Sequence, residues 1–420
     1  MYLVAHAINT LVHSLPAGTA YCIGVVLVAL CTGQLVHRQG SLARAVLPYV
    51  GHLRWGWHRV ERALERGAFC LDALFEQATA WCLANLPAEP VHLGCERRTV
   101  QAIDSSTIVR LRSRKASALL GKGYDQRANR AVRANIVAAL TSVVLIKGSR
   151  VGLVRRTRFG QSCEAAVAAL FQDLPPSAEK RLFSVDAGIA TVEQFAAATA
   201  HDALVGRLRK NVALRRAPRR RGRRGRPPLH GPMLHPGAPW PEGRADEDMT
   251  LTVDGRQVRV RRWTRLHFAR APQTLLDVVR VDDPLYKRPL LIGTTARELT
   301  TAETRHAYGH RWPVETNFFV AQGTCAMEMP RAWTAQAVSR RISLALLCGS
   351  LLKAVAAACE ALPMGPWDRK AVSSAGRLAN HLDLHAQHFA ALALQGVAPR
   401  KYRKMAKANH TSDLQLPLAA

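Results

Sequence analysis

The chain predicts a mixed α/β fold, a central sheet with helices that is interrupted by a β-rich insertion and flanked by helical regions at both ends. Three observations carry that expectation. Residues 1–97 read as helical, with apolar positions crowded over 8–36, and 332–362 reads as a long apolar helical region. From Thr99 onward, β-branched residues and alternation take over, in runs separated by helix-like stretches. After a basic loop, strands resume over 249–266, with Asp254-Gly255 marking a tight hairpin turn. The boundaries are 1–97 for an N-terminal helical domain, 98–212 for the first part of the core, and 213–285 for a basic loop and β-rich insertion. The second part of the core spans 286–330, and a helical region with a basic tail fills 331–420.

Each element has a local reason. Ser41 is a natural N-cap for the helical run that follows, and LDALFEQATAWCLANL (71–86) is amphipathic and stops at Pro87. Arg54, His58, Arg59, Arg62 and Arg66 recur at helical spacings, either along a nucleic-acid backbone or on the wet side of a helix pair. The runs TVQAIDSSTIVRL, 133–146 and 150–159 read as neighbouring strands. A helix over 162–174 closes at Pro175-Pro176, then RLFSVDAG (181–188) reads as a strand. Thr191 and Gln194 form a capping pattern for the next helix, and 203–209 is again strand-like. In 249–266 Val alternates with Arg, which predicts a hairpin with one apolar and one cationic face. Strands at 274–281 and 289–295 follow. Thr300-x-x-Glu303 then opens a helix through residue 322, placing Tyr308, Arg311 and Glu315 on one face. The apolar helix of 332–362 is expected to pack beneath it. His381, His385 and His388 share a helical face, but without an HExxH arrangement they read as a surface helix rather than a metal site.

Charge sets the partner class. The chain has 59 Lys and Arg against 30 Asp and Glu, a net +29, which points to a polyanion, most commonly double-stranded nucleic acid. No acidic residue occurs between Ala203 and Pro241, while Arg207 to Arg226 carries eleven Arg and Lys. Within that block Arg219, Arg220, Arg221, Arg223, Arg224 and Arg226 alternate with Gly and Pro, as in a phosphate-seeking loop suited to a narrow minor groove. Nine scattered Cys with no CxxC spacing argue against a zinc ribbon or disulfide framework and for a reducing cytosol. The apolar run Ala20 to Val36 contains Gly, Thr and Gln and is short for a bilayer span, so a buried helix is expected and no membrane association.

Three carboxylates carry the chemistry. Asp104 and Asp186 are each expected at the end of a strand, and Glu315 on the helix facing them. Two rigid strand ends plus a helix-borne Glu supply enough oxygen ligands for two Mg²⁺ ions, with Mn²⁺ as a substitute. Two such ions about 3.5–4 Å apart activate a water or 3′-hydroxyl and stabilise the leaving oxygen in an in-line attack on phosphorus. Taken singly, each Asp reads equally well as a turn or cap residue.

The ordered set resembles the DDE transposases of bacterial insertion sequences, which have an RNase H-like catalytic core. Asp104, followed by Ser-Ser-Thr, is similar to the family's first aspartate, and Asp186 in SVDAGIATVEQF to its second, before a helix. Tyr308, Arg311 and Glu315 match its Tyr-x2-Arg-x3-Glu-x6-Lys signature, and the insertion with GRPPLHG is similar to the family's strand-bearing insertion. The likeness spans roughly residues 95–350. It implies a transposase that binds terminal inverted repeats, cleaves DNA with Mg²⁺ and transfers strands, working as a homodimer on element ends and target DNA. It also implies a cytoplasmic, nucleoid-associated protein with no small-molecule substrate. Asp104, Asp186 and Glu315 would be catalytic metal ligands, and Tyr308, Arg311, Gln322 and the Arg-rich loop would contact DNA. Two departures stand out. Gln322 occupies the signature's Lys position, and Pro313 must kink the helix or start a new turn at Trp312. The competing readings are a non-catalytic DNA-binding derivative, a nuclease of the same fold without strand transfer, and, least favoured, a membrane protein.

Overall fold

The structure is a computed structural model that describes residues 1–50, 56–110, 119–125, 128–218, 229–238, 244–253, 255–332, 334–363, 368 and 372–397. The chain divides into two compact units, each described by itself. One joins residues 1–87 with those from 317 onward, and the other is built mainly from residues 88–316.

The first unit is helical. It contains α1 (Tyr2–His13), α2 (Ala17–Cys31), α3 (Gln34–His37), α4 (Leu42–Val50), α5 (His58–Arg66) and α6 (Leu71–Asn85). The N- and C-terminal helical regions, separate in the sequence, meet here: α1 packs on α13 (Ala386–Ala393), and α2 on α11 (Ala335–Ala358). On α5, Val60, Ala63 and Leu64 are buried while His58, Arg59, Arg62 and Arg66 are exposed, and Arg54 lies outside the described residues.

The second unit carries one large, mostly antiparallel sheet. Its first strands, β1 (Ala88–Pro90) and β2 (His92–Leu93), begin before the boundary expected at residue 97. Then come β3 (Arg98–Val109), β4 (Leu120–Asp125), β5 (Arg130–Ile146) and β6 (Ser149–Gly160). Helix α7 (Cys163–Gln172), strand β7 (Arg181–Val185), helix α8 (Val192–Ala197) and strand β8 (Asp202–Arg207) complete the central part. Ser162 and Thr191 cap α7 and α8, accepting the backbone N–H of Ala165 and Gln194. The order is β6-β5-β3-β7-β8; β5 runs antiparallel to both neighbours, while β3, β7 and β8 are parallel.

The insertion does not form a separate layer. It consists of β9 (Leu214–Arg216), β10 (Met233–Leu234), β11 (Glu247–Val253), β12 (Arg256–Phe268) and β13 (Ala271–Asp282). Strand β14 (Leu290–Thr294) pairs with β13 on one side and β8 on the other, so the insertion continues the central sheet. The backbone amides and carbonyls at the β8 edge are thereby satisfied by β14, to whose other side the insertion adds, rather than left as an open edge.

Helices α7 and α8 cover one face of the sheet. Ile103, Phe183 and Val185 point into the core they form with Ala166, Val167, Leu170 and Phe195. Helix α9 (Thr301–Gly309) opens with the expected capping box between Thr300 and Glu303. Ser184, which alternates with Phe183 and Val185, donates from Oγ to the Tyr308 carbonyl at 3.4 Å, so the opposite face of β7 meets the end of α9.

The run from Thr300 to Gln322 forms two helices, divided at the new turn that Pro313 leads one to expect at Trp312. Helix α9 ends at Gly309, and α10 (Trp312–Gly323) begins anew. Pro313 has no N–H to donate back to Gly309 and its ring would strike that carbonyl, so the chain restarts with Pro in the first turn, where a missing donor costs nothing. From Asn317 onward α10 belongs to the helical unit. There Ala321 lies beneath Gly349 of α11 (Ala335–Ala358), where an added Cβ would come within 3.2 Å of backbone. The apolar helix therefore does pack against this half of α10. It passes a length-and-composition test for crossing a membrane, yet 83% of its apolar window is buried inside the protein, as in a core helix. Its buried Arg340 donates to the carbonyls of Leu64 and Gly67 at 3.1 and 2.8 Å, capping the C-terminal end of α5. The chain continues through α12 (Ala375–Leu384) and α13 (Ala386–Ala393), and all nine Cys are free.

Phe183 anchors β7 to the core, edge-on to Phe171 at 5.5 Å and 1% exposed. Phe183→Ala is expected to cost about 3–5 kcal/mol in denaturant unfolding, by lost burial plus the cavity left behind.

Candidate functional site

Register builds this site. The parallel ladder of β3 and β7 runs from Thr99↔Arg181 to Ile103↔Val185 and stops. Asp104 and Asp186 are each the next residue, so the two carboxylates leave adjacent strands at the same level. Asp104 departs from expectation in one respect: it sits mid-strand, not at a strand end. Strand β3 continues to Val109 because β5 still pairs with it, Asp104 opposite Ala139. Only its β7 side is open.

The turn between α9 and α10 brings the remaining groups to the pair. The Tyr308 hydroxyl donates to Asp186 Oδ1 at 3.1 Å. Arg311 Nη1 donates to Asp104 Oδ2 at 3.4 Å and also to the Glu315 carboxylate, one helical turn onward. Its guanidinium carbon lies 5.6 Å from the centre of the Tyr308 ring. The break in the helix does not disperse Tyr308, Arg311 and Glu315, because the i to i+4 reach from Arg311 to Glu315 survives in the first turn of α10. Glu315 also benefits from the partial positive charge at that helix start.

The electrostatics are crowded. Asp104 has a side chain 21% exposed, and burial pushes its carboxyl up to about 6. The Ser105 amide, donating at 2.8 Å, and Arg311 oppose the rise, while Glu315 and Asp186 add to it. Burial also raises the Tyr308 hydroxyl, which therefore stays a proton donor. Burial works against the Arg311 charge, yet Tyr308, Glu315 and Asp186 together hold it above its ordinary range.

Several supporting residues carried no signal in the sequence. Arg150 donates to the Gly309 carbonyl at 3.2 Å, closing the C-terminal end of α9. His310, in the turn itself, is 1% exposed and packs edge-on to His306 at 4.5 Å. Burial first, then His306 and Arg150, push it down to about 3, so it is a neutral filler. Ser184 could have been found, since it lies two residues before Asp186 on the same strand face.

Other sequence expectations fall elsewhere. Gln322 lies seven residues beyond Glu315 on α10, half-buried and within the helical unit. Arg219, Arg220, Arg221, Arg223, Arg224 and Arg226 lie outside the described residues, as do the basic tail and Asp254. The stem of that Arg-rich segment is closed by β9 and β10, Arg215 opposite Met233, and by the Gly231 amide donating to Arg216. The expected cationic face on the insertion is largely neutralised. Arg259 pairs with Asp248 and Arg261 with Asp282, while Arg262 lies on the buried face with Val258 and Val260 and pairs there with the buried Asp277. The alternation revealed the Arg row, but its carboxylate partners come from neighbouring strands.

Asp104, Asp186 and Glu315 offer hard oxygen donors suited to a divalent ion, and the guanidinium lodged between two of them shows that the spot stabilises a cation. In donor chemistry the residues fit Mg²⁺. As arranged, they are linked through Arg311 and Tyr308, and among the described residues no three His, Cys, Asp or Glu side chains are gathered to hold an ion. This includes His381, His385 and His388, of which the first two meet edge-on, His381 on α12 and His385 at the junction between α12 and α13. No protein-family model matches this chain, and a comparison with curated proteins finds no match.

Folding raises Asp104 from 3.8 to about 6, so the native state holds that proton more tightly than the unfolded chain. The resulting stabilisation is full below the lower value and lost as pH rises through the upper one. Asn at this position cannot ionise. Asp104→Asn is therefore expected to melt above the parent protein near about pH 8, by on the order of 3 kcal/mol at most, with the gap closing near about pH 4.

Proposed function

We propose that this chain is a DNA transposase of the DDE type with an RNase H-like core, cutting and joining DNA strands with divalent metal. The observation that carries the reading is the convergence of Asp104, Asp186, Tyr308, Arg311 and Glu315, drawn from two strands and a broken helix, on one patch of one unit. Support for the core comes from the strand order, with parallel β3, β7 and β8 beside antiparallel β5 and β6. The first aspartate then stands on the first core strand, and the second follows β7 directly before a helix.

In this reading Asp104, Asp186 and Glu315 hold Mg²⁺, which when bound activates the attacking oxygen and stabilises the leaving one. The chain's own groups position the substrate. Tyr308 and Arg311 can donate to phosphate oxygens, Arg as a planar fork. The net charge of +29 draws DNA in and makes its binding salt-dependent. The substrates would be element ends and target DNA, brought together by a homodimer in a nucleoid-associated, cytoplasmic setting. Gln322, at the signature's Lys position, favours a second reading, a DNA-binding derivative without catalysis.

The test uses duplexes carrying the inverted repeats that bracket the gene, Mg²⁺ and a target plasmid. Parent protein is expected to nick the duplex and join its 3′ ends to the plasmid. Asp104→Asn, Asp186→Asn and Glu315→Gln should each lower cleavage by at least about a hundredfold while still binding DNA. Cleavage retained in all three would rule the site out. Cleavage without joined product would leave a nuclease, and binding without cleavage the non-catalytic derivative.

A further inference from the structure

Arg311 does more than a phosphate contact requires. Its guanidinium spans Asp104 and Glu315 and lies beside the Tyr308 ring, with the side chain only 12% exposed. Its Nε–H is buried and has no acceptor among the described residues. Any ion ligated by both Asp104 and Glu315 would have to lie where the guanidinium now lies, and two cations at contact distance repel strongly. Removing the guanidinium with nothing in its place would leave two partly buried carboxylates side by side, which is also costly. The arrangement therefore favours an exchange in which one cation replaces the other. For the exchange the guanidinium needs another anion. A phosphate oxygen can accept from Nε as well as Nη, satisfying the donor now left over.

We propose that Arg311 is the gate of the metal site: without DNA it fills the place between Asp104 and Glu315, and a DNA phosphate draws it out so that a divalent ion can enter. The inference rests on the reading of Asp104, Asp186 and Glu315 as metal ligands. Its consequence is that metal binding and DNA binding are coupled, because each ligand favours the same open arrangement of Arg311.

Mn²⁺ titrated calorimetrically into the full chain, with and without a random-sequence DNA duplex and after subtraction of the duplex alone, tests this. The parent protein should bind Mn²⁺ at least about tenfold more tightly with DNA, as expected when the competent state is a minor one. Arg311→Gln should bind Mn²⁺ without DNA about as tightly as the parent does with it, and DNA should then add little. Arg311→Lys, which keeps a cation, should remain weak without DNA. Equal Mn²⁺ affinity of the parent protein with and without duplex would overturn the gate, and needs no variant. So would unchanged affinity in folded Arg311→Gln, where Asp104→Asn in the same background still abolishes binding. If that double variant binds Mn²⁺ as well as Arg311→Gln alone, the metal-ligand reading itself fails.

Discussion

The ladder between β3 and β7 closes with Ile103 opposite Val185, and that register fixes where the two aspartates stand. Ile103 and Val185 point into the core under α7 and α8. The pleat therefore turns the residues after them toward the other face, where α9 ends. A shift of one residue in either strand would bury a carboxylate among Phe183, Leu170 and Phe195 and turn a core aliphatic outward. The apolar packing beneath the sheet and the polar cluster above it are held by the same pairing.

On the other face, Pro313 decides the arrangement. By ending α9 and restarting the chain at Trp312, it places Arg311 in a turn rather than on a continuous helix. Arg311 can then reach sideways to Asp104 on the sheet and forward to Glu315 on α10. Three carboxylates in a partly dry environment repel one another, and a fixed guanidinium offsets that repulsion while the site awaits a ligand.

Charge is distributed unevenly. On the insertion, the surface residues Arg256, Arg259 and Arg261 have carboxylate neighbours, as do the buried Arg262 and Arg280, so much of the basic charge there is locally compensated. Arg340 and Arg341 are buried and spend their donors on backbone carbonyls. An Arg count in the sequence thus overstates what the folded surface offers a polyanion, because a paired Arg has its charge offset by the carboxylate beside it and a buried one offers a phosphate no direct contact. The compositional excess of +29 still stands, and the acid-free block around Arg219 to Arg226 holds a concentrated share of it.

Much was legible along the chain because it depends on neighbours in sequence. The N-cap at Thr191, the capping box at Thr300, the stop at Pro87, the alternation in β12 and the five site residues could all be read from local pattern. Pairing could not be read that way. That Asp104 lies within a strand rather than at its end depends on β5 continuing alongside it, and β5 comes from residues well downstream. Nor could local pattern show that the insertion extends the central sheet through β14, that α1 packs on α13, or that the Arg row of β12 finds its acids on β11 and β13. Residue types and spacings determined which chemistry the chain can support. The tertiary structure decided which carboxylates share a place and which cation stands between them, since only pairing and packing bring residues 104, 186 and 315 within each other's electric field.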